Sequence, residues 1–416
     1  MAVNRAVCVY DDSYSQRFKM VGVPYANQYY SLSMDKLETL RPCLRSLIER
    51  RWPDTVFASS GEATTAGRYV YVQSIKDARD CCVIVGSLYK DMKLRPSALE
   101  EYSEQVKLKQ KVVAKYTSED DRLCIEDQTF RMGIRGSVMN PQLLVTGLIV
   151  SMRGKINEQG EFEVEDYLLP GTPLYLTIPA PIEEKYIAMV SGAETDRNSL
   201  LLLKNFLLGN TPLGDLCSKI TRLVVAGNAV GKCDVKSLVE CDVYFSQLAS
   251  SMDVDVMPGD SDPSNRNFPQ QPIHPCFFEH SRRYKSFQST TNPYFFAADG
   301  VRLLGTSGQA VKGICDYSTL SELEALKLTV MARCITPTAP DTLGCHPEAR
   351  GFTLEKDEEF PHVIFSGNCS DFGACALGAD GGPPVAICIP TFKTQPSIVL
   401  LSLSTLQARL IKLGNA

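Results

Sequence analysis

Val224-Val225-Ala226-Gly227-Asn228 decides the fold of this chain. A short, β-rich apolar run closed by glycine and a polar residue reads as a buried strand whose last residue faces a crevice. Four other stretches repeat the pattern: Ala188-Met189-Val190-Ser191-Gly192, Val256-Met257-Pro258-Gly259-Asp260, Leu303-Leu304-Gly305-Thr306-Ser307 and Ile364-Phe365-Ser366-Gly367-Asn368. In layered α/β sheets, ligands bind outside the carboxyl ends of the strands. Here those ends offer Ser191, Asn228, Asp260, Ser307 and Asn368, with no histidine among them. The layout is that of an enzyme, and the ligands are missing.

The totals narrow the function classes. A chain of 416 residues predicts two or three domains. Lys and Arg number 43 against 48 Asp and Glu, so any contact with nucleic acid is expected to be local or made through a partner. The 15 cysteines include no C-x-x-C pair, which argues against structural zinc and iron–sulfur clusters and predicts reduced thiols in a cytosolic or nuclear protein. No apolar leader follows the start. The stretch from Leu200 to Leu208 is broken by Lys204 and is too short to span a bilayer.

Working outward, residues 1–27 are polar and aperiodic, an arm rather than a core element. Leu37, Leu40, Leu44, Leu47 and Ile48 then mark a helix that Pro42 is expected to kink or to start near Arg41. Strands are predicted from Arg68 to Val72 and from Cys81 to Leu88, and a hairpin from Met152 to Asp166. In its second arm Phe162 and Val164 alternate with glutamates. These short strands predict an OB-type barrel with a leading helix over 28–175. Pro170, Pro173, Pro179 and Pro181 mark a boundary, and a layered α/β domain is expected over 180–416. Its clearest helix runs from Leu320 to Arg333, with Thr319 and Glu322 at capping-box spacing. The expected fold class is thus mixed α+β, a barrel followed by a layered domain.

Several motifs fail on inspection. Ala226 to Cys233 resembles a P-loop but has Ala226 where glycine is needed and Cys233 where a magnesium-binding hydroxyl belongs. Asp253 opens like a calcium loop, but Met257 stands where an oxygen ligand is required. Asp260, Asp262 and Asn265 cluster after a strand. They could orient a water or an ion, although capping turns and satisfying loop backbone is the default for these residue types. The four histidines, His274, His280, His346 and His362, all lie away from the strand ends, whereas a hydrolytic two-metal site needs several His and carboxylate ligands. Basic runs at Lys107 to Lys115, Arg50-Arg51 and Arg282-Arg283 read as solvated faces. The segment around Tyr89, Met92 and Leu94 reads as a rim for protein contact.

Longer motifs carry a resemblance. Met257-Pro258-Gly259-Asp260 runs on through Asp262-Pro263 and Asn265 to Pro269-Gln270-Gln271-Pro272 and His274-Pro275. Thr291-Asn292-Pro293-Tyr294, Leu304-Gly305-Thr306-Ser307-Gly308-Gln309 and Pro337-Thr338-Ala339-Pro340-Asp341-Thr342-Leu343-Gly344-Cys345 follow. In the first domain Gln28-Tyr29, Arg41-Pro42, Val145-Thr146-Gly147 and Val164-Glu165-Asp166-Tyr167 join them. From about residue 25 onward the chain resembles the family of small, second subunits of the eukaryotic and archaeal DNA polymerases, in particular those of polymerase delta. That resemblance implies an OB domain joined to a calcineurin-like phosphodiesterase domain without its metal ligands. Its degenerate loops fall at Ser191, Gly192, Gly227, Asn228, Gly259, Asp260, Asp262, Asn265, Ser307, Gly367 and Asn368. It further implies a nuclear, non-catalytic subunit with no cofactor and no catalytic residue. Such a subunit holds the metal-bearing C-terminal domain of the polymerase delta catalytic subunit (in some lineages also that of polymerase zeta) and a further accessory subunit, and meets DNA mainly through the complex. The alternatives are a manganese nuclease, as in archaeal relatives, and a single-strand DNA-binding OB module.

Overall fold

The computed structural model describes residues 5–22, 26–57, 69–96, 114–179, 183–193, 197–211, 214–231, 235–378 and 381–413. Residues 107–113 of the basic run, Arg68, Lys232 and Cys233 lie outside the described residues. In chain order the chain forms β1 (Tyr10–Asp11), α1 (Tyr30–Arg51), β2 (Val70–Tyr71), β3 (Cys81–Asp91), β4 (Arg122–Glu126) and β5 (Arg131–Arg135). There follow β6 (Ile149–Ile156), β7 (Phe162–Leu168), β8 (Tyr186–Val190), α2 (Arg197–Leu207), α3 (Gly214–Ser218), β9 (Ile220–Ala226), α4 (Val235–Ala249) and β10 (Asp253–Met257). The rest comprises β11 (Phe287–Ser289), β12 (Tyr294–Ala298), β13 (Val301–Thr306), α5 (Gln309–Asp316), α6 (Glu322–Met331) and β14 (Val363–Cys369). Four strands close the chain: β15 (Gly373–Ala376), β16 (Val385–Pro390), β17 (Ser397–Ser402) and β18 (Ala408–Lys412).

Contacts divide the chain into two compact units. One holds Asn27–Gly171 with Lys312–Leu343, and the other holds Met1–Ala26, Thr172–Val311 and Gly344–Ala416. Both ends of the expected division are corrected by this arrangement. Residues 312–343 return to the first unit because their backbone carbonyls meet buried cations there. Lys36 Nζ donates to the carbonyls of Thr336, Pro337 and Ala339 at 3.0, 3.2 and 2.5 Å, and Lys90 Nζ donates to Tyr317 O at 2.8 Å. The first residues are no free arm either. β1 pairs antiparallel with β12, Phe18 is fully buried, and Ser15 Oγ donates to Phe295 O. A reading by contiguous span sees neither return.

In the first unit β3, β4, β5, β7 and β6 form a five-stranded Greek-key barrel closed by the β3–β6 pairing, with β5 and β7 parallel. This is the OB arrangement. Phe162 and Val164 point inward, and a bulge at Arg153/Gly154 bends β6, where a Cβ on Gly154 would collide with the Glu163 carbonyl. Leu37, Leu40, Leu44 and Ile48 of α1 pack on Val83, Val85 and Ile149. The helix does not start near Arg41: it runs from Tyr30 through Pro42 to Arg51. Pro42 and Glu38, the residue whose carbonyl loses its i+4 N–H partner, are both exposed. The capping box of α6 is also shifted: Ser321 Oγ accepts from Glu324 N, and Glu324 Oε2 accepts from Ser321 N. Extended backbone at Ser321 makes it the N-cap, two residues beyond Thr319.

The second unit stacks two six-stranded sheets, ordered β1-β12-β13-β14-β16-β15 and β11-β10-β9-β8-β17-β18. The central strands β8 and β17 of the second sheet are almost wholly apolar and buried because both faces of the sheet are covered there. Ile187 and Met189 of β8, Val224 and Ala226 of β9 and Val399 and Leu401 of β17 meet Phe296, Leu303, Val363 and Phe365 of the facing sheet. Their alternate neighbours Ala188, Val190, Leu223, Val225 and Leu400 meet Leu203 and Phe206 of α2 and Phe245 and Leu248 of α4. Burial of so many full-length apolar side chains, at about 25 cal/mol per Å², fixes the register. The carboxyl ends of β8, β9, β10, β13 and β14 are held side by side as a result.

Candidate functional site: a strand-end crevice closed by amides

The strand ends do converge, and they touch one another directly. Asn368 N donates to Ser191 Oγ at 2.8 Å, and its side-chain Nδ2 donates to Ser307 O at 2.9 Å and Ala226 O at 3.3 Å. Asn228 Nδ2 donates to Asn368 Oδ1 at 3.2 Å, while Asn228 Oδ1 accepts from Ser261 N at 3.1 Å. Gly192 N reaches Gly227 O at 2.9 Å. These turns require left-handed backbone, with φ of 85° at Gly227, 53° at Asn228 and 51° at Asn368. Asparagine tolerates that region because its short side chain bonds locally.

A second layer lies behind this one. Asn292 Nδ2 donates to Gln270 Oε1 at 2.7 Å and to Ser307 Oγ at 2.5 Å, Ser307 Oγ donates to Gln309 Oε1 at 2.6 Å, and Gln309 Nε2 donates to Gln270 Oε1 at 3.0 Å. Gln270 Nε2 ties the ring to the carbonyls of Gly259 and Asn265. Neutral amides and a hydroxyl thus satisfy one another, as buried polar groups must. Sequence reading missed Gln270, Asn292 and Gln309. The only signal was their place inside the Pro-Gln-Gln-Pro, Thr-Asn-Pro-Tyr and Gly-Thr-Ser-Gly-Gln motifs.

The chain aligns with known proteins along nearly its whole length. A family model described as the DNA polymerase delta subunit OB-fold domain matches residues 28–167, and one for the B subunit of DNA polymerases alpha and epsilon matches residues 187–374. The DNA polymerase delta small subunit of Oryza sativa subsp. japonica is 34% identical, with 96% of each chain covered. Its counterpart in Arabidopsis thaliana is 33% identical over 97% of this chain and 95% of the relative, and that of Saccharomyces cerevisiae 30% over 94% and 90%. The chain belongs to the DNA polymerase delta small subunit family.

Within that family frame, the donor set can be tested against a hydrolytic metal centre. Two divalent ions need several imidazoles and carboxylates with a bridging water. Ser191, Asn228, Ser307 and Asn368 are neutral and bonded to each other. The Asp262 carboxylate accepts four backbone N–H groups, from Ala229, Val230, Gly231 and Gly259. Asp260 and Asn265 are exposed, and Asn265 is engaged with the backbone of Asn267, Pro269 and Gln271. These residues do not fit a dinuclear centre. Gly259 and Gly367 leave room for neighbouring loops: a Cβ on either would strike Asn228 or the Ala226 carbonyl.

The remaining sequence candidates lie elsewhere. Tyr89 sits half-buried under the Arg131 guanidinium, 4.0 Å from its ring centroid, and Leu94 is 48% exposed. Met92, read from sequence as an anchor, is only 8% exposed, because β3 ends at Asp91 and the turn at Lys93-Leu94 carries Leu94 outward while Met92 stays buried. His274 Nδ1 accepts from Cys276 N, and His346 Nδ1 accepts from Glu348 N.

His362 is fully buried. Its Nδ1 accepts from Arg302 N at 2.9 Å, Nε2 lies 3.0 Å from Thr177 O, and burial with the nearby Arg302 charge pulls its pKa down to about 4. The folded state therefore keeps this imidazole neutral where the unfolded chain protonates it. Stability from this group is complete above the ordinary value near 6.5 and is lost as pH falls toward 4, by about 3 kcal/mol. Denaturant unfolding at a series of pH values should show that slope, and His362→Asn should lack its share of it. Equal slopes in the two proteins contradict the assignment.

Proposed function

We propose that this chain is the non-catalytic scaffold of a delta-type replicative polymerase, holding the catalytic subunit's C-terminal domain and a further accessory subunit in the nucleus. Its second unit is read as a calcineurin-like phosphodiesterase fold that survives as framework. The observation carrying this reading is the crevice: an enzyme-like convergence of strand ends whose side chains are spent on each other. Support also comes from relatives called polymerase delta small subunits at 30% identity or more along the full chain. On the barrel, Arg131 pairs with Glu126, Arg135 with Glu161 and Lys155 with Glu163. Among the described residues of the barrel, such mutual neutralisation leaves little of the continuous basic track that single-strand binding needs.

The test is reconstitution with the delta catalytic subunit of the same organism, full length and lacking its C-terminal domain. A one-to-one complex with the first and none with the second is the predicted result. Failure of both to bind would reject the scaffold reading. Manganese-dependent cleavage of a phosphodiester that Asp260→Ala abolishes would establish the hydrolase instead.

A further inference from the structure

The segment from Gly227 to Gly231 failed as a P-loop on its side chains, but its backbone does what such a loop does. The N–H groups of Ala229, Val230 and Gly231 point to one place, and Gly259 N joins them from the loop after β10. Positive φ at Gly227, Asn228 and Gly231 (85°, 53° and 65°) curls the chain around that point. Successive amides converging in a turn of this kind form an anion-binding concavity. What they grip is Asp262. Its Oδ1 accepts from Val230 and Gly231 at 2.8 Å each, and its Oδ2 accepts from Gly259 at 2.8 Å and Ala229 at 3.1 Å. The residue is 7% exposed.

We propose that the turn after β9 is a built carboxylate-binding nest, that Asp262 is its resident ligand, and that a nest emptied of Asp262 takes a small free carboxylate such as formate. Two donors per oxygen, set for the two oxygens of one planar group, select a carboxylate over a spherical halide. The near-complete burial of Asp262 sets the size: a vacated side chain leaves room for formate and little for phosphate. In the intact chain the nest acts as a latch. It ties the loops after β9 and β10 together, and the bond from Ser261 N to Asn228 Oδ1 carries the tie into the crevice. The loops that a metal would organise in a hydrolase are here organised by an internal anion.

The experiment compares thermal melting of the full chain, Asp262→Ala and Asp262→Asn in formate, phosphate and chloride at matched ionic strength. Asp262→Ala should melt several degrees below the parent. At about 100 mM formate it should recover by about 3 °C relative to chloride, while the parent and Asp262→Asn do not respond. Recovery in phosphate equal to that in formate overturns the size and shape selection. No recovery in either anion, or equal recovery in the parent, overturns the nest. Should Asp262→Ala fail to fold, Asp262→Asn decides: its amide offers N–H groups to two of the donors, so it must melt below the parent. If it melts with the parent, the carboxylate is not what the turn holds.

Discussion

Asp255→Ala is expected to lower the stability of the second unit by about 3–5 kcal/mol, the loss found when one partner of a buried ion pair is removed. Asp255 is fully buried on β10. Its Oδ1 accepts from Arg222 Nη1 at 2.5 Å and its Oδ2 from Tyr294 Oη at 2.9 Å. Arg222 is 5% exposed, also contacts Asp253 at 3.0 Å, and lies 3.8 Å from the Tyr10 ring centroid. Truncating Asp255 strands the guanidinium among apolar strands with Asp253 as its remaining carboxylate. Denaturant unfolding checks the loss. The double variant Arg222→Met, Asp255→Leu should lose less than Asp255→Ala alone, since it removes both charges and keeps volume. A single variant within about 1 kcal/mol of the parent would show that the pair is not carrying the buried charge.

Gly227→Ala should cost about 3 kcal/mol or more, from two separable causes. The backbone at Gly227 has φ of 85°, which a Cβ disfavours, and that Cβ would collide with the Ser307 side chain. Adding Ser307→Gly to Gly227→Ala removes the collision and leaves the backbone penalty, so the pair should recover part of the loss relative to Ser307→Gly alone. If Gly227→Ala unfolds like the parent, the loops after β9 and β13 are not in the contact described. No recovery in the double variant would place the whole cost in the backbone.

Much of this architecture is legible along the chain because its strands are buried on both faces and close on small residues. The apolar runs ending at Val190, Ala226, Met257 and Thr306 each match a strand end, and the alternation at Phe162 and Val164 gives the barrel wall. Local chemistry misplaces what tertiary contacts decide. Pro42 reads as a helix boundary, but it and Glu38, the residue whose carbonyl it cannot bond, both lie on the exposed face of α1, and the helix runs through. Lys36 and Lys90 draw residues 312–343 back to the barrel unit through backbone carbonyls, which leave no trace in side-chain identity. The strand ends were visible, but not that Gln270, Asn292 and Gln309 would close over them, nor that the amides of a failed P-loop would hold Asp262. Amide-to-amide bonding has no periodic signature, so it has to be seen in space.

The most direct measurement is purification of the tagged chain from native extract, with its co-purifying proteins quantified and its phosphodiesterase activity assayed in manganese. A delta-type catalytic subunit at about one-to-one, with hydrolysis at background, is the predicted result. A lone chain that cleaves phosphodiesters would contradict the account, because the crevice would then hold a working centre and the scaffold would have nothing to carry.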